Sequence, residues 1–415
     1  MARALLVITP AEGHVNPTLG LVKQLIDNGE EVIYVCAEQY RAKIERTGAQ
    51  FISYPFDIHS FTDDPSIKPT EYQHPYQFAN FMVRGIIEPI IPEVLKVTQD
   101  GSYDYLIFDS LMGWGGTILA EKLQLPAVCS IASFAFVEPL GSGEETQEEV
   151  ATDDKYAATA TPIDVEQLYA STMEVAQKLA NQFNLPVPTI EEITRHVGRL
   201  KMVYTSRYFQ PQVEQLDDSF NFVGPSVVPR HDAPSFPIHQ LQDLHKPIVF
   251  ISLGSILSQN IDFYKLCFTT FRDMPIQFVL SSGKYTDMAP IADLIPDNFI
   301  VEPFVPQLEV LQRADVFITH AGMNSTSEAL YYNVPLVTIP LTSDQPLVAN
   351  RVQELGAGVV VDKNKLSPET LRAALLEVLN NPSYKQQAHV IGESLRQAGG
   401  YKQAAHTIMS YFAKV

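Results

Sequence analysis

At 415 residues, with 46% hydrophobic and 19% charged residues, the chain is sized for two globular domains rather than a single core. A formal net charge of −19 argues against a nucleic-acid partner, because such affinity comes mostly from Lys and Arg. No apolar run approaches the ~18 residues of a membrane span, and the three cysteines (Cys36, Cys129, Cys267) lack metal-ligand or disulfide spacing, so a cytoplasmic, reducing setting is expected.

The first half alternates strand and helix patterns. "ALLVIT" reads as a strand rather than a secretory leader, "NPTLGLVKQLIDNG" as an amphipathic helix started by Asn16 and Pro17, and "EEVIYVCA" as a second strand. "QYRAKIERTG" reads as a helix, and "AQFISYPF", "YDYLIFDS" and "PAVCSIA" as further buried strands. Two stretches break the rhythm: residues 57–90, rich in Pro and aromatics, and residues 138–200, acidic at first and then helical. Insertions of this length are expected to wall a pocket rather than build scaffold. A Pro-rich joint, "NFVGPSVVPRHDAPSFP", spans residues 221–237. Beyond it the alternation restarts with "PIVFISLGS", "IQFVLSSG", "NFIVEPF", "ADVFITH", "VPLVTIP" and "GVVVD", and the tail reads as helices. Continuous β-branched runs between helices imply parallel sheets covered on both faces.

Chemistry concentrates in the strand-to-helix loops. "THAGMNSTSEAL" follows the strand "DVFIT" and opens a helix, which places it at the carboxyl edge of a parallel sheet, where such folds bind ligands. Its small residues admit a ligand close to the backbone, and the helix start supplies N–H groups and a positive dipole end. His320 is placed to give a phosphate a charge-assisted bond. The bland alternative makes Ser325 and Glu328 a capping box and His320 a turn residue. Three more loops, "SLGS", "EPFVPQ" and "IPLTSDQPLVANR", carry small or polar residues on the same edge, and four converging loops outweigh one.

The run "FVPQLEVL…ADVFITHAGMNSTSEALYYNVPLVTIP…DQ…ANRVQELGAG", with "TPAEGHVNP" near the start, resembles the UDP-glycosyltransferase superfamily in its bacterial macrolide-glycosyltransferase-like branch. The resemblance covers nearly the whole chain. It implies a GT-B fold: an α/β architecture of two Rossmann-like, doubly wound parallel-sheet domains facing across a cleft. Residues 1–220 would bind the acceptor, with a helix at 395–415 packing back on them. Residues 221–237 would be the linker and 238–394 the UDP-sugar domain. Carried onto this chain, Phe304 would stack on uracil and Val305 bond it through the backbone. Gln307 and Glu328 would hold the ribose. Ser255, His320, Gly322, Asn324 and Ser325 would hold the diphosphate, and Asp344 and Gln345 the sugar hydroxyls. Phe304 stands where plant members usually carry Trp, and the only Trp here is Trp114; a phenylalanine still stacks.

His14 sits in the loop between the first strand and its helix. A positive helix end disfavours the imidazolium, so the ring is expected to be neutral, as a base must be. Such a base needs a carboxylate to set its tautomer, and Asp109 ends a strand of the same sheet. The alternatives are a solvated turn for His14 and a strand-end cap for Asp109. The resembled family uses such a dyad to deprotonate the acceptor hydroxyl, which attacks the anomeric carbon with inversion. Phe61, Met112 and Phe134 are candidate acceptor-pocket residues, from loop position and apolar character.

The chain contains no D-x-D pair, so no essential metal and no cofactor beyond the UDP-sugar co-substrate are expected. The expected partners are that donor, with glucose leading, and a small hydrophobic alcohol or phenol such as a macrolide or flavonoid. No nucleic acid or membrane is expected, and the chain is expected to act as a monomer or weak dimer. Three other readings compete with this one. A nicotinamide oxidoreductase fails because Gly13 stands alone where G-x-G-x-x-G is required. A UDP-sugar epimerase or hydrolase would share the donor loops. A silent nucleotide-sugar-binding partner protein would not need His14 with Asp109.

Overall fold

The computed structural model describes residues 1–56, 67, 74–136, 163–228, 236–242, 246–254 and 259–413. The chain divides into two compact units. The first is Met1–Tyr204, Gln212–Phe222 and Tyr401–Val415; the second is Thr205–Pro211 and Val223–Gly400.

The first unit is built on a seven-stranded sheet among the described residues. Its strands are β1 (Arg3–Val7), β2 (Glu31–Ala37), β3 (Gln50–Tyr54), β4 (Tyr105–Asp109), β5 (Ala127–Ile131), β6 (Leu200–Val203) and β7 (Phe220–Phe222). The order is β3-β2-β1-β4-β5-β6-β7, and every pairing is parallel. The second unit carries β8 (Ile248–Ser252), β9 (Gln277–Ser281), β10 (Phe299–Glu302), β11 (Val316–Thr319), β12 (Leu336–Thr338) and β13 (Gly358–Val360). These pair in parallel in the order β10-β9-β8-β11-β12-β13. The alternation of apolar runs with helices thus yields two Rossmann-like sheets. The strands β6 and β7 were not apparent in the sequence, because each is short and β6 carries a charge, Lys201, at its centre.

Burial on both faces explains the continuous apolar runs. In the second unit, in-register partners stack their rings. Phe278 lies 4.7 Å from Phe299 with planes 13° apart, and Phe250 lies 4.7 Å from Phe317 at 10°. Such pairs contribute roughly 0.5–1.5 kcal/mol beyond area burial. Arg351, in the helix Gln345–Glu354, binds residues 205–211 to this unit by donating to the carbonyls of Tyr208 (2.9 Å) and Phe209 (3.0 Å). In the first unit, Phe412 of the helix Gly400–Phe412 stacks on Tyr105 at 4.4 Å.

Two expectations change. Of the pocket wall expected at 57–90, residues 57–66 and 68–73 lie outside the described residues, and residues 75–90 are scaffold: the helix Pro75–Asn80 passes through a π-helical stretch, Phe81–Ile87, into the helix Glu88–Thr98. That segment buries Phe78, Phe81, Met82, Ile86, Ile87, Ile90, Ile91 and Val94 in the core. Pro75 occupies a first-turn position, where the missing N–H costs nothing, whereas Pro89 and Pro92 lie within the continuous run. His74 caps the first piece by accepting from the Tyr76 N–H. Likewise the first helix starts at Glu12 rather than Asn16, after an extended Ala11, and Pro17 lies inside it.

His196, between the short helix Ile190–Thr194 and β6, is buried against Phe136, its ring centroid 4.2 Å away. Neither ring nitrogen has a hydrogen-bond partner among the described residues. Burial, reinforced by the Lys201 charge, pushes its pKa down to about 3. Below about pH 6.5 the unfolded chain therefore takes up a proton that the folded chain refuses, and stability falls as pH falls through that window, by about 2 kcal/mol at pH 5. His196→Phe should flatten this slope: the difference in unfolding midpoint between pH 7.5 and pH 5 narrows relative to the wild-type chain in denaturant titrations.

Candidate functional site

In the first unit the candidate residues meet where β1 and β4 run side by side, with Val7 opposite Phe108. The chain leaves β1 through Ile8 and Thr9, and Ala11 N–H donates to the Thr9 carbonyl. His14 therefore falls in the first turn of the helix Glu12–Asp27. Asp109 is the last residue of β4, and its carboxylate is completely buried. His14 Nδ1 lies 2.7 Å from Asp109 Oδ2.

A carboxylate accepts, so Nδ1 carries the proton and Nε2 is the basic nitrogen. The His14 side chain keeps 21% exposure while that of Asp109 has none, so only the imidazole can meet a reactant. Asp109 also serves the role weighed against it, since Oδ1 accepts from the Leu111 N–H at 2.9 Å and caps the turn Ser110–Met112. One oxygen caps and the other orients the histidine. The neighbouring protic groups stay protonated. Burial, with the Asp109 charge behind it, pushes the Cys36 thiol up to about 12, and burial raises the Tyr204 phenol equally far. Neither competes with His14 for a proton at neutral pH.

In the second unit the loops after β8, β10, β11 and β12 carry the candidates, all on one carboxyl edge because the sheet is parallel. His320 follows β11, next to the end of β8, where Thr319 pairs with Ser252. Its ring donates to the Ser252 carbonyl, which raises its pKa slightly; burial dominates and brings it down to about 4. The ring is neutral at pH 7, so the expected charge-assisted bond is not offered by the resting protein. Two glycines accommodate the ring. A Cβ on Gly322 would lie 2.5 Å from Nε2, and one on Gly254, at φ +77°, would lie 2.7 Å from Cε1. Between His320 and Gly322, Ala321 holds a left-handed φ of 65°, which costs a non-glycine residue about 1 kcal/mol or more.

The helix Met323–Tyr331 begins after Gly322 with no side-chain cap. Ser325 and Glu328 are therefore not a capping box; both lie inside the helix. Glu328, nearly buried, instead accepts from Gln307 Nε2 at 2.6 Å, and the same nitrogen lies 3.3 Å from Ser325 Oγ. Asn324 shares that first turn. Val305 is buried, whereas Phe304 is 47% exposed, an aromatic face left in solvent at the sheet edge. Gln345 begins the helix Gln345–Glu354, with Asp344 before it. Gln345 Oε1 accepts from the N–H groups of Leu341 (2.9 Å) and Thr342 (3.1 Å), so the amide offers a ligand its NH₂ group.

Met112 is fully buried in the first unit's core and Phe134 nearly so, while Ser255 and Phe61 lie outside the described residues. Sequence reasoning missed Thr9, Ser252 and Gly254. All three lie in stretches the sequence singles out, "TPAEGHVNP" and "SLGS", but nothing there gave any of them a role of its own. No group of three or more His, Cys, Asp or Glu among the described residues is arranged to hold a metal ion, and no described helix is long and apolar enough to cross a membrane.

A family model described as UDP-glucoronosyl and UDP-glucosyl transferase matches residues 219–394. A relative from Bacillus subtilis (strain 168), named UDP-glucosyltransferase YojK, is 35% identical over 99% of this chain and 97% of its own. The oleandomycin glycosyltransferase of Streptomyces antibioticus is 26% identical over 96% and 88%. Among solved structures, CalG4, the calicheamicin glycosyltransferase, superposes with a TM-score of 0.81 at 24% identity, covering 100% of this chain and 99% of that one. That likeness is one of fold.

The glycines beside His320 make a measurable prediction. Gly254→Ala adds both a strained φ and a Cβ in the ring's space, and should lower stability by roughly 1–3 kcal/mol. Ala321→Gly removes a strained φ and should leave stability equal or higher. Denaturant midpoints of the two variants should move apart in these directions.

Proposed function

This chain belongs to the UDP-glycosyltransferase family and is a hexosyltransferase of GT-B fold, and we propose that it is an inverting, UDP-glucose-dependent O-glycosyltransferase of small hydrophobic alcohols and phenols. The observation that carries the reading is the 2.7 Å bond from His14 Nδ1 to a wholly buried Asp109. That arrangement fixes the tautomer, aims basicity at Nε2 and holds a negative charge ready for the imidazolium.

In the proposed reaction, Nε2 takes the proton of the acceptor hydroxyl. The oxygen then forms a bond to the anomeric carbon while the bond from that carbon to the diphosphate oxygen breaks, and UDP leaves with the electron pair. Attack from the face opposite the leaving group inverts the anomeric centre. Residues 1–220 serve the acceptor and 238–394 the donor in this proposal. Phe304 supports it as an exposed platform for uracil, with Val305 beside it. The Gln307–Glu328 pair would take the ribose hydroxyls. The start of the helix Met323–Tyr331, with Gly322, Asn324, Ser325 and His320, would take the diphosphate, and Ser255 is proposed to join them. Asp344 would accept from a sugar hydroxyl and the Gln345 amide would donate to one.

A helix N-terminus and a histidine that gains a proton near an anion can balance the diphosphate, so the proposal needs no metal. The setting proposed is cytoplasmic, with the chain acting as a monomer or weak dimer. Phe61 and Phe134 remain proposed acceptor contacts, whereas Met112, fully buried in the core, has no surface to offer one.

With UDP-glucose and a panel of macrolides and phenols, mass spectrometry should find acceptors carrying one added hexose, unaffected by a chelator. UDP release without an adduct would instead indicate a hydrolase. His14→Ala should keep UDP affinity, measured by calorimetry, while losing about 10²–10⁴-fold in transfer to alcohols, and Asp109→Asn should act in the same direction.

A further inference from the structure

We infer that Thr9 is a positioning residue of the His14–Asp109 pair: its hydroxyl fixes the carboxylate so that one oxygen is reserved for the imidazole. The inference rests on the reading of His14 as the base.

Asp109 has no exposed surface, so every lone pair it uses must meet a protein donor. Three donors reach it. Thr9 Oγ1 donates to Oδ1 at 3.0 Å, the Leu111 N–H donates to the same oxygen at 2.9 Å, and His14 Nδ1 meets Oδ2 at 2.7 Å. The first two come from the exits of neighbouring strands, the hydroxyl from that of β1 and the amide from that of β4. With Oδ1 held by both, the carboxylate plane cannot rotate, and Oδ2 is left on the imidazole.

Thr9 is itself nearly buried, and its carbonyl accepts from the Ala11 N–H at 2.8 Å. Ala11 is the residue from which the His14 helix departs. One residue thus ties the backbone that carries the base and the carboxylate that orients it. Its effect on charge runs the same way. A donor on Oδ1 draws negative charge from Oδ2, so loss of the hydroxyl strengthens the hold of that oxygen on a positively charged ring.

Thr9→Val removes the hydroxyl and keeps the β-branched shape, while Thr9→Ser restores the hydroxyl. With an aliphatic alcohol as acceptor, Thr9→Val should lose about tenfold in kcat, with the acceptor KM and calorimetric UDP affinity little changed. The limb of its pH–rate profile that reports the base should move to higher pH. With 4-nitrophenol, whose proton leaves readily without a strong base, the loss should be under about twofold. Thr9→Ser should recover most of the alcohol rate and the original profile.

An equal loss on both acceptors, a Thr9→Ser variant as slow as Thr9→Val, or a Thr9→Val enzyme with normal alcohol turnover and an unmoved limb would each overturn the inference. His14→Ala, measured beside them, separates the two claims. If it loses alcohol transfer while Thr9→Val does not, only the role of Thr9 falls. If it retains alcohol transfer, the base assignment falls and takes Thr9 with it.

Discussion

A parallel sheet covered on both faces has one place to do chemistry, the edge where its strands end. Both sheets here obey that constraint, and both use the same point on the edge. In the first unit the strand order reverses direction between β1 and β4, and in the second between β8 and β11. Crossovers on the two sides of that point diverge, so the backbone opens there and the loops beyond it are accessible to a ligand. His14 and Asp109 occupy this position in one unit; His320 and Gly254 occupy it in the other.

Each unit therefore presents a histidine at its switch point, but the two rings have different neighbours. His14 faces a buried carboxylate, which favours a proton arriving on the ring. His320 faces a backbone carbonyl and two bare glycines, and burial keeps it neutral down to about pH 4. The first environment suits a group that must gain charge during a reaction. The second suits a group that becomes charged only when an anion arrives beside it. One fold thus gives the same side chain two different environments at equivalent positions.

The architecture was legible because apolar runs of strand length and helix-ending glycines recur along the chain, and the parallel pairing follows from them. The carboxyl-edge loops were legible for the same reason: once β11 is placed, the position of His320 is determined. What could not be read was packing. Residues 75–98 carry the prolines and aromatics of a loop, yet they bury a long apolar face through a π-helical stretch that spacing at 3.6 residues does not reveal. The spacing of Ser325 and Glu328 fits a cap, but the helix begins at Met323, which puts both residues inside it. Thr9 is an ordinary residue at a strand exit, and its importance appears only when a carboxylate a hundred positions away is seen against it. His196 gave no sign of its burial, because an unpartnered histidine is identical in sequence to a solvated one.

The space around His320 bears on how this loop can change over generations. Gly254 and Gly322 leave no room for a methyl group while an imidazole stands between them. Three positions separated by up to 68 residues are therefore bound into one steric unit. A side chain gained at either glycine is tolerated only after the ring has been exchanged for something smaller, and that exchange first sacrifices the group the glycines accommodate. Substitutions here should be strongly non-additive, with paths between sequences blocked at the single steps and open only to simultaneous ones.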